Sequence, residues 1–198
     1  MSKTRARRIK LLLFDVDGVM TDGKLWFFPS LIPQTSRGGS GGASDFDTVR
    51  RIEAKGFHAH DGTAISLARL GGLKTGLITR RSSETVALRA RDLKLDYAYQ
   101  GAMVKIQVFE EILAKEKITA TEVAYIGDDV IDLPIMRRCG FAIAVANARD
   151  EVKQEAHWVT PHAGGDGAVR DAVEYILKAQ GSWEAAVKQY LERGDAPK

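Results

Sequence analysis

Leu11-Leu12-Leu13-Phe14-Asp15-Val16-Asp17-Gly18 decides the fold. Four apolar residues in a row, with no polar alternation, suit a strand buried on both faces, as the central strands of a parallel sheet are. The run stops at two carboxylates two positions apart, which an extended strand end aims to the same side, and Gly18 then lets the chain turn sharply. Similar apolar runs recur at 74–79 (KTGLIT), 122–126 (EVAYI) and 141–145 (FAIAV). Helix-period segments lie between them. Residues 62–70 place Ile65, Leu67 and Leu70 near one face, Ser82 is positioned to cap a helix to about Leu93, and 105–113 carries Ile106, Phe109, Ile112 and Leu113. A last long helix is predicted over 168–180, then a break at Gly181, a Ser182 cap and a short helix through Leu191. Strands alternating with helices imply right-handed crossovers and a doubly wound α/β parallel sheet.

The 198 residues, 44% hydrophobic and 28% charged, correspond to one globular domain with a small appendage and exclude collagen, coiled coil and wholesale disorder. A single cysteine, Cys139, forms no internal disulfide and no thiolate zinc cluster, which fits a reducing cytoplasm. The net charge of +3 is concentrated at the start: Lys3, Arg5, Arg7, Arg8 and Lys10 carry no acidic neighbour, and without them 24 basic residues face 26 acidic ones. Residues 1–10 therefore read as a solvated basic tail, and nucleic acid is not the expected partner. Asp15 cuts the following apolar run too short for a signal peptide or a membrane span, so neither export nor membrane insertion is expected. Residues 11–181 form the predicted domain and 182–198 a C-terminal helix and tail. Within 24–60 we expect a small flap, with 24–28 as one strand and 56–60 as its returning partner, around a proline- and glycine-rich mobile loop at 29–43.

The chemistry is carried by residues at strand ends. Thr79 ends one apolar run, Asp128 and Asp129 follow another through Gly127, and Asp132 lies at the start of the next helix. In a parallel doubly wound sheet all carboxyl ends open at one edge, so Asp15, Thr79 and Asp128 are predicted to converge. Clustered carboxylates repel unless a hard cation balances them, which points to Mg²⁺ with oxygen ligands. A calcium EF-hand does not fit, because Gly18 is the fourth residue from Asp15 where that loop needs glycine at the sixth. Lys105, at a predicted helix start, is the candidate cation beside the nucleophile.

These residues resemble the haloacid dehalogenase superfamily of phosphotransferases, whose four motifs appear in order as Asp15-x-Asp17, Thr79, Lys105 and Gly127-Asp128-Asp129-x-x-Asp132. Similarity to the 3-deoxy-D-manno-octulosonate 8-phosphate phosphatase branch runs from about Leu11 to Ser182. It includes DVDGVMTDG, Asp61-Gly62, the stretch ITRRSS, YQG at 99–101, YIGDDVIDLPIM and GGDGAVRDAVEYILKAQG. The resemblance implies that Asp15 is phosphorylated and that Asp17 serves as general acid and then base. It further implies that Asp15, the Asp17 carbonyl and Asp128 hold Mg²⁺, with Asp129 or Asp132 orienting its waters, while Thr79 and Lys105 bind phosphoryl oxygens. No segment is long enough for a cap domain, and members of this branch are tetramers in which a glycine-rich loop reaches a neighbour's site. Gly164 and Gly165 match that loop, and with Asp61, His60 and Arg80 they are the expected substrate contacts.

Three positions depart from the branch: His60 stands where Arg is common, Asp166 where a basic residue is usual, and Arg80 where Gly is found. Two of these remove cations that would meet a sugar-acid carboxylate, so another sugar phosphate or small phosphorylated metabolite stays open as substrate. His58 and His60 read as ordinary side chains, and Trp26, Phe27 and Phe28 as a subunit interface. A phospho-acceptor signalling domain and a nucleic-acid 3′-phosphatase are the alternatives. The first is distinguished by its having no need of Asp17, the second by salt-sensitive DNA binding through residues 1–10.

Overall fold

The computed structural model describes residues 2–29 and 51–193. Its elements are α1 (Ser2–Ala6), β1 (Leu11–Phe14), β2 (Trp26–Pro29), β3 (Arg51–Ala54), α2 (Ala59–Leu70), β4 (Lys74–Ile78), α3 (Glu84–Asp92), β5 (Tyr97–Tyr99), α4 (Lys105–Glu116), β6 (Val123–Gly127), α5 (Leu133–Met136), β7 (Phe141–Ala144), α6 (Asp150–Glu155), β8 (Trp158–Val159), α7 (Ala168–Gln180) and α8 (Trp183–Arg193). Short 3-10 turns precede β6 and α5.

Six strands form one sheet in the order β5-β4-β1-β6-β7-β8, every pair parallel. This is the doubly wound α/β architecture the alternating pattern predicts. β1 sits between β4 and β6, and all four of its side chains are within 1% of full burial, each stabilising the fold by roughly 1.5–3 kcal/mol. Because β1 is flanked by strands that follow it in opposite directions across the sheet, the chain's switch point falls at its carboxyl end, where such sheets bind ligands. Register carries the same message: Phe14 is level with Leu77 on one side and Ile126 on the other, so Asp15 leaves the sheet level with Ile78 and Gly127.

α7 shows why the helices pack as they do. Val169, Ala172, Val173, Ile176 and Leu177 are buried at helical spacing and face α2, while Arg170, Glu174 and Lys178 line the other side as i,i+4 ion pairs.

Three local readings are corrected. Residues 2–10 are not a free tail: Ala6 and Ile9 are buried, α1 packs on α7, and Gln180 donates to the Ile9 carbonyl at 2.7 Å. Arg5 and Arg7 spend their guanidiniums on the carbonyls of Gly140 and Ala179. The flap's returning strand is β3, antiparallel to β2, and not 56–60; His58 instead caps α2, its side chain accepting from the His60 N–H. Ser83, not Ser82, caps α3 through the Val86 N–H. The loop predicted at 29–43 lies outside the described residues beyond Pro29.

Candidate active site

The turn after β1 and the turn after β6 meet. Gly18 has φ +87°, and a Cβ built on it would stand 2.1 Å from Asp128 Oδ2, so only glycine admits the Asp128 carboxylate here. Asp15, Asp128 and Asp132 bring one carboxylate oxygen each within 4.8 Å of one another. Carboxylates far apart in sequence, Asp15 from the first turn and Asp128 and Asp132 from the later one, thus lie together, while Asp17 and Asp129 are not in this group.

Lys105, the first residue of α4, is buried and places Nζ 2.7 Å from Asp15 Oδ2 and 2.7 Å from Asp132 Oδ1. Tyr125, in β6, donates its hydroxyl to Asp132 Oδ1 at 2.7 Å, and the second oxygen of Asp132 accepts from the Asp128 N–H at 3.1 Å. Asp132 is therefore wholly occupied, which suits an orienting role more than a free ligand. Asp15 Oδ1 accepts from the Val16 N–H at 2.7 Å. Asp129 is exposed, its carboxylate turned onto the Val130 N–H at the start of the 3-10 turn.

Burial pushes Asp15 up to about 6, with the Asp132 charge adding to it and Lys105 opposing. Burial also pushes Asp128 up to about 7, reinforced by Asp132, Asp15 and Asp129. Both shifts have the cause expected of a donor set for a hard cation, because a divalent charge among these oxygens would lower their proton affinity. The Tyr125 hydroxyl, fully buried beside the same carboxylates, is raised well above its ordinary value and stays a donor.

Asp17 faces the flap. Lys55, immediately after β3 and with a wholly buried side chain, pairs with Asp17 Oδ1 and lies 3.3 Å from Glu53. Arg81 Nε stands 3.5 Å from Asp17 Oδ2, and its Nη2 bonds Glu53 at 3.0 Å. The sequence reading singled out Arg80, which is exposed, and missed Arg81, Lys55, Glu53 and Tyr125. Thr79 is buried one residue past β4, at the same sheet edge as Asp15, its Oγ1 accepting from the Arg81 N–H.

Of the expected substrate contacts, His60 is exposed at the start of α2. Asp61 is 1% exposed and its carboxylate turns to α7, accepting from the Arg170 N–H at 2.8 Å. Gly164 and Gly165 lie on this chain's own turn 18–22: the Gly165 N–H donates to the Val19 carbonyl at 3.0 Å, and the Gly164 N–H to Asn147 Oδ1 at 2.8 Å.

Residues 65–172 match the family model of haloacid dehalogenase-like hydrolases. The chain is 36% identical over 188 residues to the 3-deoxy-D-manno-octulosonate 8-phosphate phosphatase KdsC of Salmonella typhi, covering 95% of this chain and 89% of that protein. Among solved structures, the 3-deoxy-D-manno-octulosonate 8-phosphate phosphatase of Moraxella catarrhalis, in complex with magnesium ion, phosphate ion and a KDO molecule, superposes with a TM-score of 0.80 at 32% identity, covering 95% of this chain and 97% of that one. A probable yrbI family phosphatase from Pseudomonas syringae pv. phaseolicola gives a TM-score of 0.81 at 39% identity over 96% of each chain.

Proposed function

The chain belongs to the haloacid dehalogenase-like hydrolases, and from that premise and the geometry of its site we propose that it is a magnesium-dependent phosphomonoesterase acting on 3-deoxy-D-manno-octulosonate 8-phosphate. The observation that carries the reading is the buried Lys105 held between Asp15 and Asp132, with the Asp128 carboxylate against Gly18. A lone carboxylate would repel a phosphate dianion; one neutralised by an ammonium group and set in a cation-binding cluster does not.

In this reading the Asp15 carboxylate attacks phosphorus, an O–P bond forming as the ester O–P bond breaks. Asp17 gives its proton to the departing sugar alkoxide. It then takes a proton from the water that attacks the aspartyl phosphate, which frees inorganic phosphate and restores Asp15. Lys105 keeps Asp15 ionised and, with Thr79, meets phosphoryl oxygens. Asp15, Asp128 and the Asp17 backbone carbonyl would hold Mg²⁺, with Asp132 and Asp129 orienting around it. When bound, the ion would supply positive charge that offsets the repulsion between the anionic nucleophile and the phosphate. Asp132 takes its orienting part through Lys105, Tyr125 and the backbone beside Asp128.

Trp26, Phe27, Phe28 and Ile52 are each about half exposed on the paired strands β2 and β3, so large apolar side chains lie side by side at the surface, as they do at interaction sites. We read this hairpin as the contact between copies in a homotetramer. Cys139, buried and pushed up to about 12, is an inert thiol that suits the cytoplasm. No helix among the described residues is long and apolar enough to cross a membrane.

Phosphate release from a panel of sugar phosphates, with Mg²⁺ and with chelator, tests the proposal. Mg²⁺-dependent turnover of the octulosonate ester is expected. Turnover of a different sugar phosphate alone would overturn the substrate, and release unaffected by chelator would overturn the metal chemistry.

A further inference from the structure

Asp61 is buried to 1% exposure at the third position of α2, yet its two oxygens are treated unequally. Oδ1 accepts from the Arg170 N–H at 2.8 Å, and Oδ2 is buried with no hydrogen-bond partner among the described residues. A carboxylate taken out of water with one oxygen unmatched is costly, and burial holds it up at about 6. Its position explains what it does there. Arg170 is the third residue of α7, whose N-cap is Gly167 at φ +102°, a residue with no side chain to satisfy the first-turn N–H groups. Asp61, 109 residues away in sequence, supplies the cap.

The loop that leads into α7 is seated on the catalytic turn. A Cβ on Gly164 would fall 1.7 Å from the Gly18 carbonyl oxygen, and one on Gly165 2.4 Å from the Asp22 nitrogen, so backbone lies directly on backbone. The Gly165 N–H donates to Val19 O, four residues after Asp15. α2, which carries Asp61, also leads back through Lys55 to the Asp17 carboxylate. The Asp61 side chain thus ties α2, which follows the flap in the chain, to the N-terminus of α7, and the loop entering α7 in turn rests on the turn 18–22.

We propose that Asp61 is a positioning residue: by capping α7 from α2 it fixes the loop 164–167 against the turn 18–22 and so sets the placement of Asp17, without touching substrate. This rests on the phosphatase reading above. The cap needs an oxygen acceptor and not a charge, so Asp61→Asn keeps it and Asp61→Ala removes it.

Steady-state kinetics of D61A and D61N with p-nitrophenyl phosphate and with the preferred sugar phosphate test the proposal, together with hydrogen exchange of the Arg170 and Gly165 amides. For D61A, kcat is expected to fall about 10- to 100-fold on both substrates with KM changed less than about threefold, and for D61N kcat is expected within about threefold of the parent. The Arg170 and Gly165 amides are expected to lose protection together in D61A and to keep it in D61N. A rise in KM for the sugar phosphate alone would make Asp61 a substrate contact and overturn the proposal. So would an unchanged kcat in folded D61A, which would leave only a structural cap. Should D61A not fold, D61N carries the test, since a kcat loss beyond about tenfold with the Arg170 amide still protected would mean that the charge itself is used. If the parent protein releases no phosphate, the functional reading fails, while the amide exchange still decides whether Asp61 couples α7 to the catalytic turn.

Discussion

Replacing Lys105 with methionine removes a cation that touches both Asp15 and Asp132 while keeping a side chain of similar length. Nζ is 2.7 Å from each carboxylate, and neither acid is more than 5% exposed, so the substitution leaves two buried charges facing each other. Breaking a buried pair by deleting one partner costs about 3–5 kcal/mol. At about 2–4 °C per kcal/mol for a chain of this size, Tm should fall by about 6–20 °C at pH 8 in chelator. The loss should shrink near pH 5, where Asp15, raised to about 6, takes up a proton in place of the missing ammonium. Adding Asp132→Asn to Lys105→Met should recover part of the Tm by removing one orphaned charge. Phosphate release should stay about 10²- to 10³-fold down in both variants. Differential scanning calorimetry at the two pH values reads the stability, and a Tm change under about 2 °C, or one independent of pH, would refute the buried triad as drawn.

Asp15 and Asp128 hold protons more tightly folded than unfolded, so between about pH 4 and pH 7 the metal-free protein should lose stability as pH rises. Mg²⁺ should therefore raise Tm most at pH 8 and least near pH 5, and an equal rise at both would contradict the site. Gly18→Ala puts a methyl 2.1 Å from Asp128 Oδ2 at a positive φ, and should cost about 1–2 kcal/mol in backbone strain alone; phosphate release should fall more than about tenfold even where the protein stays folded. On the proposed homotetramer, Trp26→Ser with Phe28→Ser should give monomer in sedimentation velocity with an unchanged circular dichroism spectrum; a sedimentation coefficient equal to the parent's would contradict the proposed interface.

The central sheet was readable because burial on both faces leaves unbroken apolar runs, and the parallel topology then dictated where Asp15, Thr79 and Asp128 had to meet. What escaped has physical reasons. β8 has two residues and β5 three, too short for any period, and β3 mixes Arg51 and Glu53 with Ile52 because the hairpin is exposed. The stretch 56–60 alternates like a strand, but His58 bonds back to the His60 N–H and starts a helix instead. Residues 1–10 looked solvated because five cations outnumber the two side chains, Ala6 and Ile9, that anchor α1. Asp15, Asp17 and Asp128 were legible from spacing. Tyr125 was hidden within an apolar strand, and Lys55 carries no pattern at all, since only the folded flap brings it to Asp17.

The most direct test is chemical capture of the covalent species. The protein is mixed with substrate, quenched within a turnover and treated with borohydride, which reduces an acyl phosphate to an alcohol, and the peptide spanning 11–24 is sequenced by mass spectrometry. Homoserine in place of Asp15, and only there, is the predicted result. Homoserine at another acid, or none while phosphate is being released, would contradict it.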